Sequence, residues 1–276
     1  MQRAGGGFLL NDLGPVTYLS IPSFTATSLV AHGFTTRLGG VSEGRYSSLN
    51  LGLHVGDEHQ AVLVNRRRAC NAIGIDSGRL VAGQQVHQDQ VAVVTEQHLG
   101  RGSRSYQSAL PGVDALITKT PGVPLSSYYA DCVPLFFLDP VQKAVGLAHA
   151  GWKGTVSKIG AKTVQQMTKT FGSDPKEIIA AIGPSIGPCC YLVDKPVIDK
   201  LKRSFSYWHQ LVKACGDGQW LLNLWETNLR VLIDAGIRGE NISIAAICTC
   251  CNSHMFFSYR AAGGITGRMA SFIMLI

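Results

Sequence analysis

The sequence predicts a mixed α/β fold of the α+β kind: one domain in which sheets pack on each other and helices lie outside. Three observations predict it. Short strand-like runs outnumber helical ones. The middle strands follow one another instead of alternating with helices, which excludes a simple Rossmann pattern. No repeat, low-complexity tract or linker divides the 276 residues, so the whole span 1–276 reads as one domain with residues 1–15 as a peripheral N-terminal segment.

The elements follow in order. A helix is predicted from Asp57, where Asp57 and Gln60 form a capping-box pattern. Val62, Ala69 and Ile73 share its apolar face, and Gly74 closes it. The stretch Gly100 to Gly112, rich in Arg, Ser and Gly without periodicity, reads as a surface loop or lid. Strands are predicted at Gln90–Thr95, Asp114–Thr118, Leu125–Tyr129, Leu135–Leu138 and Ala144–His149, rich in Val, Leu, Phe and Tyr and bounded by turn residues. A helix follows from Thr155 to Phe171, with Val156, Ile159, Val164, Met167 and Phe171 as its stripe and Gly172 as its stop. Ile178–Ile182 is a buried strand. Asp194 caps a short helix to Phe205, and Asn223 caps another from Leu224 to Ala235. Ile242–Ile247 is a strand, and two short apolar segments, Phe256–Tyr259 and Ser271–Ile276, end the chain.

Composition narrows the function. Hydrophobic residues make up 46% and charged residues 16%, the reverse of a disordered chain. The net charge is +7, but the only basic block is Arg66-Arg67-Arg68, inside the first helix. Such a triplet reads as a solvated face with one inward member. Nucleic acid is therefore disfavoured, and small anionic ligands stay open. No signal-peptide core and no apolar run of membrane length is present, so a cytoplasmic location is expected. Eight cysteines in such a chain read as thiols or metal ligands, not disulfides. There is no G-x-G-x-x-G and no Walker motif, which removes support from nicotinamide and ATP readings.

Three residues stand out for chemistry. His87 lies in a loop between strands, Cys132 just before one strand, and His149 at the end of the next. Imidazole and thiolate are the ligands zinc prefers, and three protein ligands leave a fourth position open, the pattern of a catalytic site. No local spacing motif links them. The alternative is a buried Cys132, a hydrogen-bonded His87 and a structural His149. The turn His149-Ala150-Gly151-Trp152-Lys153-Gly154 either lets backbone approach a ligand or packs tightly under Trp152. Arg37, in a polar Gly-rich loop, offers a planar fork for substrate. Arg260 and Arg268 either bind an anion or pair with Asp114 or Asp131. Cys248-x-x-Cys251, with Cys189 and Cys190, reads first as buried thiols. Structural zinc or copper on the same sulfurs is the alternative.

Taken in order, these segments resemble the polyphenol oxidoreductase laccase-domain family, also described as zinc-dependent purine nucleoside phosphorylases. The matching stretches include His32-Gly33-Phe34-Thr35-Thr36-Arg37, Gly39-Gly40-Val41-Ser42, Ser48-Leu49-Asn50-Leu51-Gly52, Gln85-Val86-His87, Ala130-Asp131-Cys132 and His149-Ala150-Gly151-Trp152. They continue through Gly183-Pro184-Ser185-Ile186-Gly187-Pro188-Cys189-Cys190-Tyr191, Phe256-Phe257-Ser258-Tyr259-Arg260 and Thr266-Gly267-Arg268-Met269-Ala270. The resemblance implies a single-domain αββα layered sandwich with mixed sheets, and zinc on His87, Cys132 and His149. It also implies phosphorolysis of adenosine, inosine or methylthioadenosine, with deamination of adenosine. Purine nucleosides and phosphate are then the partners. Lys153 stands where the family often has arginine, which puts any phosphate role there in doubt.

For deamination, the better-known zinc deaminases add a glutamate in an H-x-E motif. This chain has none, and Asp114 and Asp131 are the candidates for a proton shuttle. Two rival enzymes share the residues. One is a cysteine hydrolase, an amidase editing a peptidoglycan precursor, with Cys132 as nucleophile. The other is a copper-dependent polyphenol oxidase, which eight histidines over the whole chain serve poorly. A metal-binding regulator is the non-enzymatic reading. Oligomeric state is left open.

Overall fold

The computed structural model describes residues 2–5, 7–12 and 14–276. In chain order the strands begin with β1 (Gln2–Gly5), β2 (Phe8–Asn11), β3 (Tyr18–Ser20), β4 (Val30–Thr35) and β5 (Val81–Ala82). Next come β6 (Val91–Val93), β7 (Ala115–Thr118), β8 (Leu125–Tyr129), β9 (Val133–Asp139), β10 (Ala144–Ala150) and β11 (Ile179–Ile182). The last are β12 (Leu192–Asp194), β13 (Val212–Gly216), β14 (Gln219–Leu222), β15 (Ile242–Ile244) and β16 (Met269–Leu275). The helices are α1 (Pro22–Thr25), α2 (His59–Ile73), α3 (Trp152–Val156), α4 (Ile159–Phe171), α5 (Lys195–Ser204) and α6 (Leu224–Asp234).

Two mixed sheets form the centre. One runs β1-β2-β3-β4-β16-β8-β5 and the other β15-β11-β9-β10-β7-β6; a small third sheet, β12-β14-β13, lies beside them. Alternation along the strands sorts the side chains into layers. In β9, Phe136 and Leu138 join Phe34, Leu125, Tyr129, Met269 and Ile273 of the first sheet in one core. Leu135 and Phe137 point the other way, onto Ile159, Val164 and Met167 of α4 and Val231 and Leu232 of α6. On the far face of the first sheet, Tyr128, Ala270 and Phe272 meet Ala69 and Cys70 of α2. The order is helix, sheet, sheet, helix, as the resemblance implied. The central strands are buried on both faces, so they read as unbroken apolar runs.

The residues give reasons for the ends of these elements. Gly74 closes α2 in the left-handed region at φ 79°, a conformation glycine adopts without Cβ strain. Its N-cap is Glu58, whose side chain accepts from the Gln60 amide, not Asp57. Asp57 instead accepts from the Ser42 hydroxyl and the Asn50 amide, tying two loops together. The single helix predicted over Thr155 to Phe171 is two: the chain turns at Lys158, which has φ 59°. Thr155 accepts from buried Asn228 of α6, so α3 is held apart from the line of α4. No Gly or Pro marks that break. Arg66 is the inward member of the basic triplet, donating to the carbonyls of Leu51, Gly102 and Ser103, while Arg67 and Arg68 are exposed.

Segment 1–15 supplies the outer edge of the first sheet, where β2 pairs with β3 and Phe8 is buried. Residues 1, 6 and 13 of it lie outside the described residues. Ile242–Ile247 keeps strand form only to Ile244, and Ala246 has φ 53°. Ser271–Ile276 falls in β16 as far as Leu275, whereas Phe256 and Phe257 are buried without regular structure.

Phe136 sits between the two sheets with no exposed surface. Phe136→Ala is expected to cost about 3–5 kcal/mol of stability. Chemical denaturation checks this, and a change below about 1 kcal/mol would place the main core elsewhere.

Candidate active site and metal centre

The strand register assembles the site at one end of the second sheet. In the β9–β10 hairpin His149 stands opposite Pro134 and Ala150 opposite Val133, so Cys132 and His149 share that end. On the other side of β10, Ala148 pairs with Ala115, which brings Asp114 alongside His149. The His149 amide donates to the Asp114 carbonyl at 2.8 Å. The loop before β6 carries His87. It is held to β8 by Gln85, whose side chain donates to the Tyr128 carbonyl and accepts from its amide.

Asp114 organises the rest. Its Oδ1 accepts from His149 Nδ1 at 2.8 Å and from the His87 amide at 3.0 Å. Its Oδ2 accepts from the amides of Val86 at 3.1 Å and Gln88 at 2.9 Å. One carboxylate therefore satisfies the tip of the loop, where His87 has a positive φ of 60°, and fixes the imidazole of His149. With Nδ1 engaged, His149 turns Nε2 inward. One ligand atom each from His87, Cys132 and His149 lies within 4.8 Å of the others. The two imidazole rings stand nearly perpendicular, centroids 4.8 Å apart. Gly151 passes so close that an added Cβ would lie 2.9 Å from His87 Cδ2 and 3.0 Å from Cys132 Sγ. The glycine of this turn is thus required by the cluster itself.

The electrostatics match. Burial pushes the Cys132 thiol up, but His149 and then His87 outweigh it and bring the thiol down to about 6. Burial lowers His149, but Cys132 and Asp114 raise it to about 9. Burial raises the Asp114 carboxyl, and the His149 contact and the loop amides turn the balance downward. Both shifts favour a thiolate at Cys132 beside a protonated His149.

The cluster opens into a cavity of about 560 Å³. Trp152, Tyr191 and Tyr259 give it aromatic walls, His54 closes one side, and Arg260 and Arg268 supply cationic groups. Arg268 donates through Nη1 to the carbonyls of Thr266 and Gly267, and among the described residues Nε and Nη2 have no hydrogen-bond partner. Burial and then the cationic Arg268 and Arg66 hold His54 down to about 4. No spacing or periodicity marks His54, Trp152, Tyr191 or Tyr259; they meet only through the tertiary fold.

Other expected residues lie differently. Arg37 does not line this cavity: its guanidinium donates to the carbonyls of Ser47 and Ser253 and stacks on Phe257. Three hydrogen bonds to two backbone carbonyls, and a ring, consume the fork that suggested substrate. Lys153 is exposed, with its ammonium over Trp152. Asp131 accepts from the Thr249 hydroxyl and the Arg260 amide, both at 2.7 Å, so it positions chain segments, as Asp114 does. Cys189, Cys190, Cys248 and Cys251 are not four buried thiols. They form a second cluster, with Cys189 and Cys251 exposed.

Known proteins resemble the chain closely. "Purine nucleoside phosphorylase YlmD" of Bacillus subtilis is 43% identical over 244 residues, 88% of each chain. "Adenosine deaminase RL5" of an unknown prokaryotic organism is 35% identical over 238 residues, 85% of this chain and 90% of that one. The crystal structure of the hypothetical protein YfiH of Bacillus licheniformis superposes with a TM-score of 0.92 at 40% identity, covering 97% of this chain and 99% of that chain. Residues 31–276 match the family model described as "Multi-copper polyphenol oxidoreductase laccase", and the chain belongs to that family.

Proposed function

We propose that the chain is a zinc-dependent purine nucleoside phosphorylase, cleaving adenosine, inosine or methylthioadenosine with phosphate, and that the same site deaminates adenosine. The observation that carries this is the convergence of the His87–Cys132–His149 cluster and the free edge of Arg268 in one cavity. At about 560 Å³ the cavity is of ordinary size for a small-molecule site. The names of the relatives add the substrate class.

The donor set fits zinc. Tetrahedral bonds of about 2.0–2.3 Å place ligand atoms roughly 3.3–3.8 Å apart, a spacing within the reach of this cluster. The Asp114–His149 contact is the carboxylate–histidine pairing that orients metal ligands. Copper is the alternative ion, but no methionine among the described residues lines the cavity to give the axial ligand of a blue-copper site. Bound zinc would supply a Lewis acid at the head of the cavity.

The chain's own groups do the remaining work. The free Nε and Nη2 of Arg268 hold an anionic oxygen of phosphate. His54, uncharged at neutral pH, offers the nucleoside one donor and one acceptor. Trp152, Tyr191 and Tyr259 present faces to the purine. In phosphorolysis a phosphate oxygen bonds to C1′, the glycosidic C–N bond breaks and the base leaves with a proton. In deamination water adds at C6 and ammonia departs. Asp114 and Asp131 hold the site in shape for both.

The second reading, a cysteine hydrolase, draws on the thiolate–imidazolium pair of Cys132 and His149. A metal on Cys132 excludes it. Turnover of adenosine by metal-analysed protein, resolved by chromatography, tests the proposal. It predicts adenine that appears only with phosphate, and inosine without it. Absence of both products from zinc-loaded protein would contradict it.

Asp114→Asn removes the charge behind His149 and should weaken metal binding by about 10–100-fold. Competition with a chromogenic chelator reads this, and unchanged affinity would separate Asp114 from the metal. The same titration against pH has a defined slope. Of the Cys132–His149 pair, metal needs the thiolate and the neutral imidazole, and between about 6 and about 9 it is the His149 proton of that pair that must leave. Affinity should therefore rise about tenfold per pH unit in that window, level off above it and fall more steeply below it. A flat profile would rule out the ion pair.

A further inference from the structure

We propose that Cys189, Cys190, Cys248 and Cys251 bind a second metal ion, a structural zinc that clips the 185–191 loop to the 248–251 turn. This site is separate from the active site and does not depend on the reaction proposed above.

The geometry points to one centre shared by four sulfurs. All four Sγ atoms lie within 4.8 Å of one another. Cys251 Sγ is 3.4 Å from Cys189 Sγ and 3.3 Å from Cys190 Sγ. A disulfide needs about 2.05 Å and would join only two of the four. Zinc–sulfur bonds of about 2.3 Å put tetrahedral sulfurs roughly 3.8 Å apart, close to what the thiols already adopt. Nothing in core packing gathers four thiols at a position where two of them are exposed. Four thiolates with no open position are the donor set of a closed, structural zinc site.

The backbone around the cluster is built for it. Ser185 and Cys248 form a parallel bridge, and the Thr249 amide donates to the Ser185 carbonyl at 3.0 Å. These bonds align the two segments before any metal arrives. The Gly187 amide donates to Cys248 Sγ at 3.2 Å, the kind of N–H to sulfur bond that stabilises a thiolate ligand. A Cβ at residue 187 would lie 2.7 Å from the Trp225 ring and 3.1 Å from Cys248 Cβ, so only glycine permits this approach.

The clip also holds one wall of the cavity. The Ile186 amide donates to the Asp131 carbonyl, and the Thr249 hydroxyl donates to the Asp131 carboxylate. Both halves of the clip thus grip the residue before Cys132. Arg260 donates to the carbonyls of Cys190 and Leu192, so its place at the cavity follows from the same loop.

The test is metal analysis of the full chain purified without chelator, as wild type, as His149→Ala, and as a Cys189→Ser, Cys251→Ser double variant. Two zinc ions per chain are expected in the wild type and one in each of the others. His149→Ala reconstituted with cobalt(II) should show the intense thiolate-to-cobalt charge-transfer bands of an all-sulfur tetrahedral site. If the double variant does not fold, titration of His149→Ala, which lacks the active-site zinc, with an organomercurial should release its remaining zinc as these four thiols react. One zinc in the wild type that the double variant retains would overturn the proposal. So would a Cys251 disulfide found by mass spectrometry of the native protein, release of no zinc by the mercurial, or copper(I) in place of zinc on these sulfurs.

Discussion

The arrangement depends on one carboxylate. Asp114 accepts four hydrogen bonds, three from loop amides and one from His149. The loop amides have no strand partner at that point, and a buried N–H left unpaired costs about 1–3 kcal/mol. The same four bonds bring His87 to its left-handed conformation and turn His149 toward Cys132. Folding of the loop and assembly of the His87–Cys132–His149 cluster thus depend on the same carboxylate. It positions both the loop and the imidazole of His149.

That carboxylate works because the sheets place it. Asp114, Cys132 and His149 stand at the same end of three neighbouring strands, fixed by the ladders of β7, β9 and β10. A slip of one residue in either ladder would turn His149 to the opposite face. The opposing sheet closes the site from the other side: Tyr129 lies 5.5 Å from the His149 ring, and its hydroxyl bonds Ser271 of β16. The four-layer sandwich therefore does more than bury apolar surface. It holds a polar, charged cluster at the rim of its inner core, where helices do not cover it.

The sequence made much of this legible. Leu135–Leu138 and Ala144–His149 were readable because strands buried on both faces are near-continuous apolar runs. The stops at Gly74 and Gly172 were readable because both residues sit at positive φ. The turn at Lys158 was not, since tertiary packing sets it and no breaker residue announces it. β3 is short, β13 is exposed, and buried β4 carries His32 and Gly33 among its apolar residues, so none of them shows clear alternation and all were missed. His87, Cys132 and His149 were visible as residue types at element ends, though no spacing joins them; the resemblance did that. Arg37 misled because a guanidinium suited to a substrate anion is equally suited to backbone carbonyls. Arg268 is the better placed cation, and only the fold reveals its free edge.

The most direct measurement is a crystal structure with zinc and a nucleoside, with anomalous differences collected on both sides of the zinc edge. The account predicts a zinc peak bonded to a ring nitrogen of His87, Cys132 Sγ and His149 Nε2, with the nucleoside beside it in the cavity lined by Arg268 and His54. A nucleoside bound there with no metal peak, or Cys132 in a covalent bond to substrate, would contradict it.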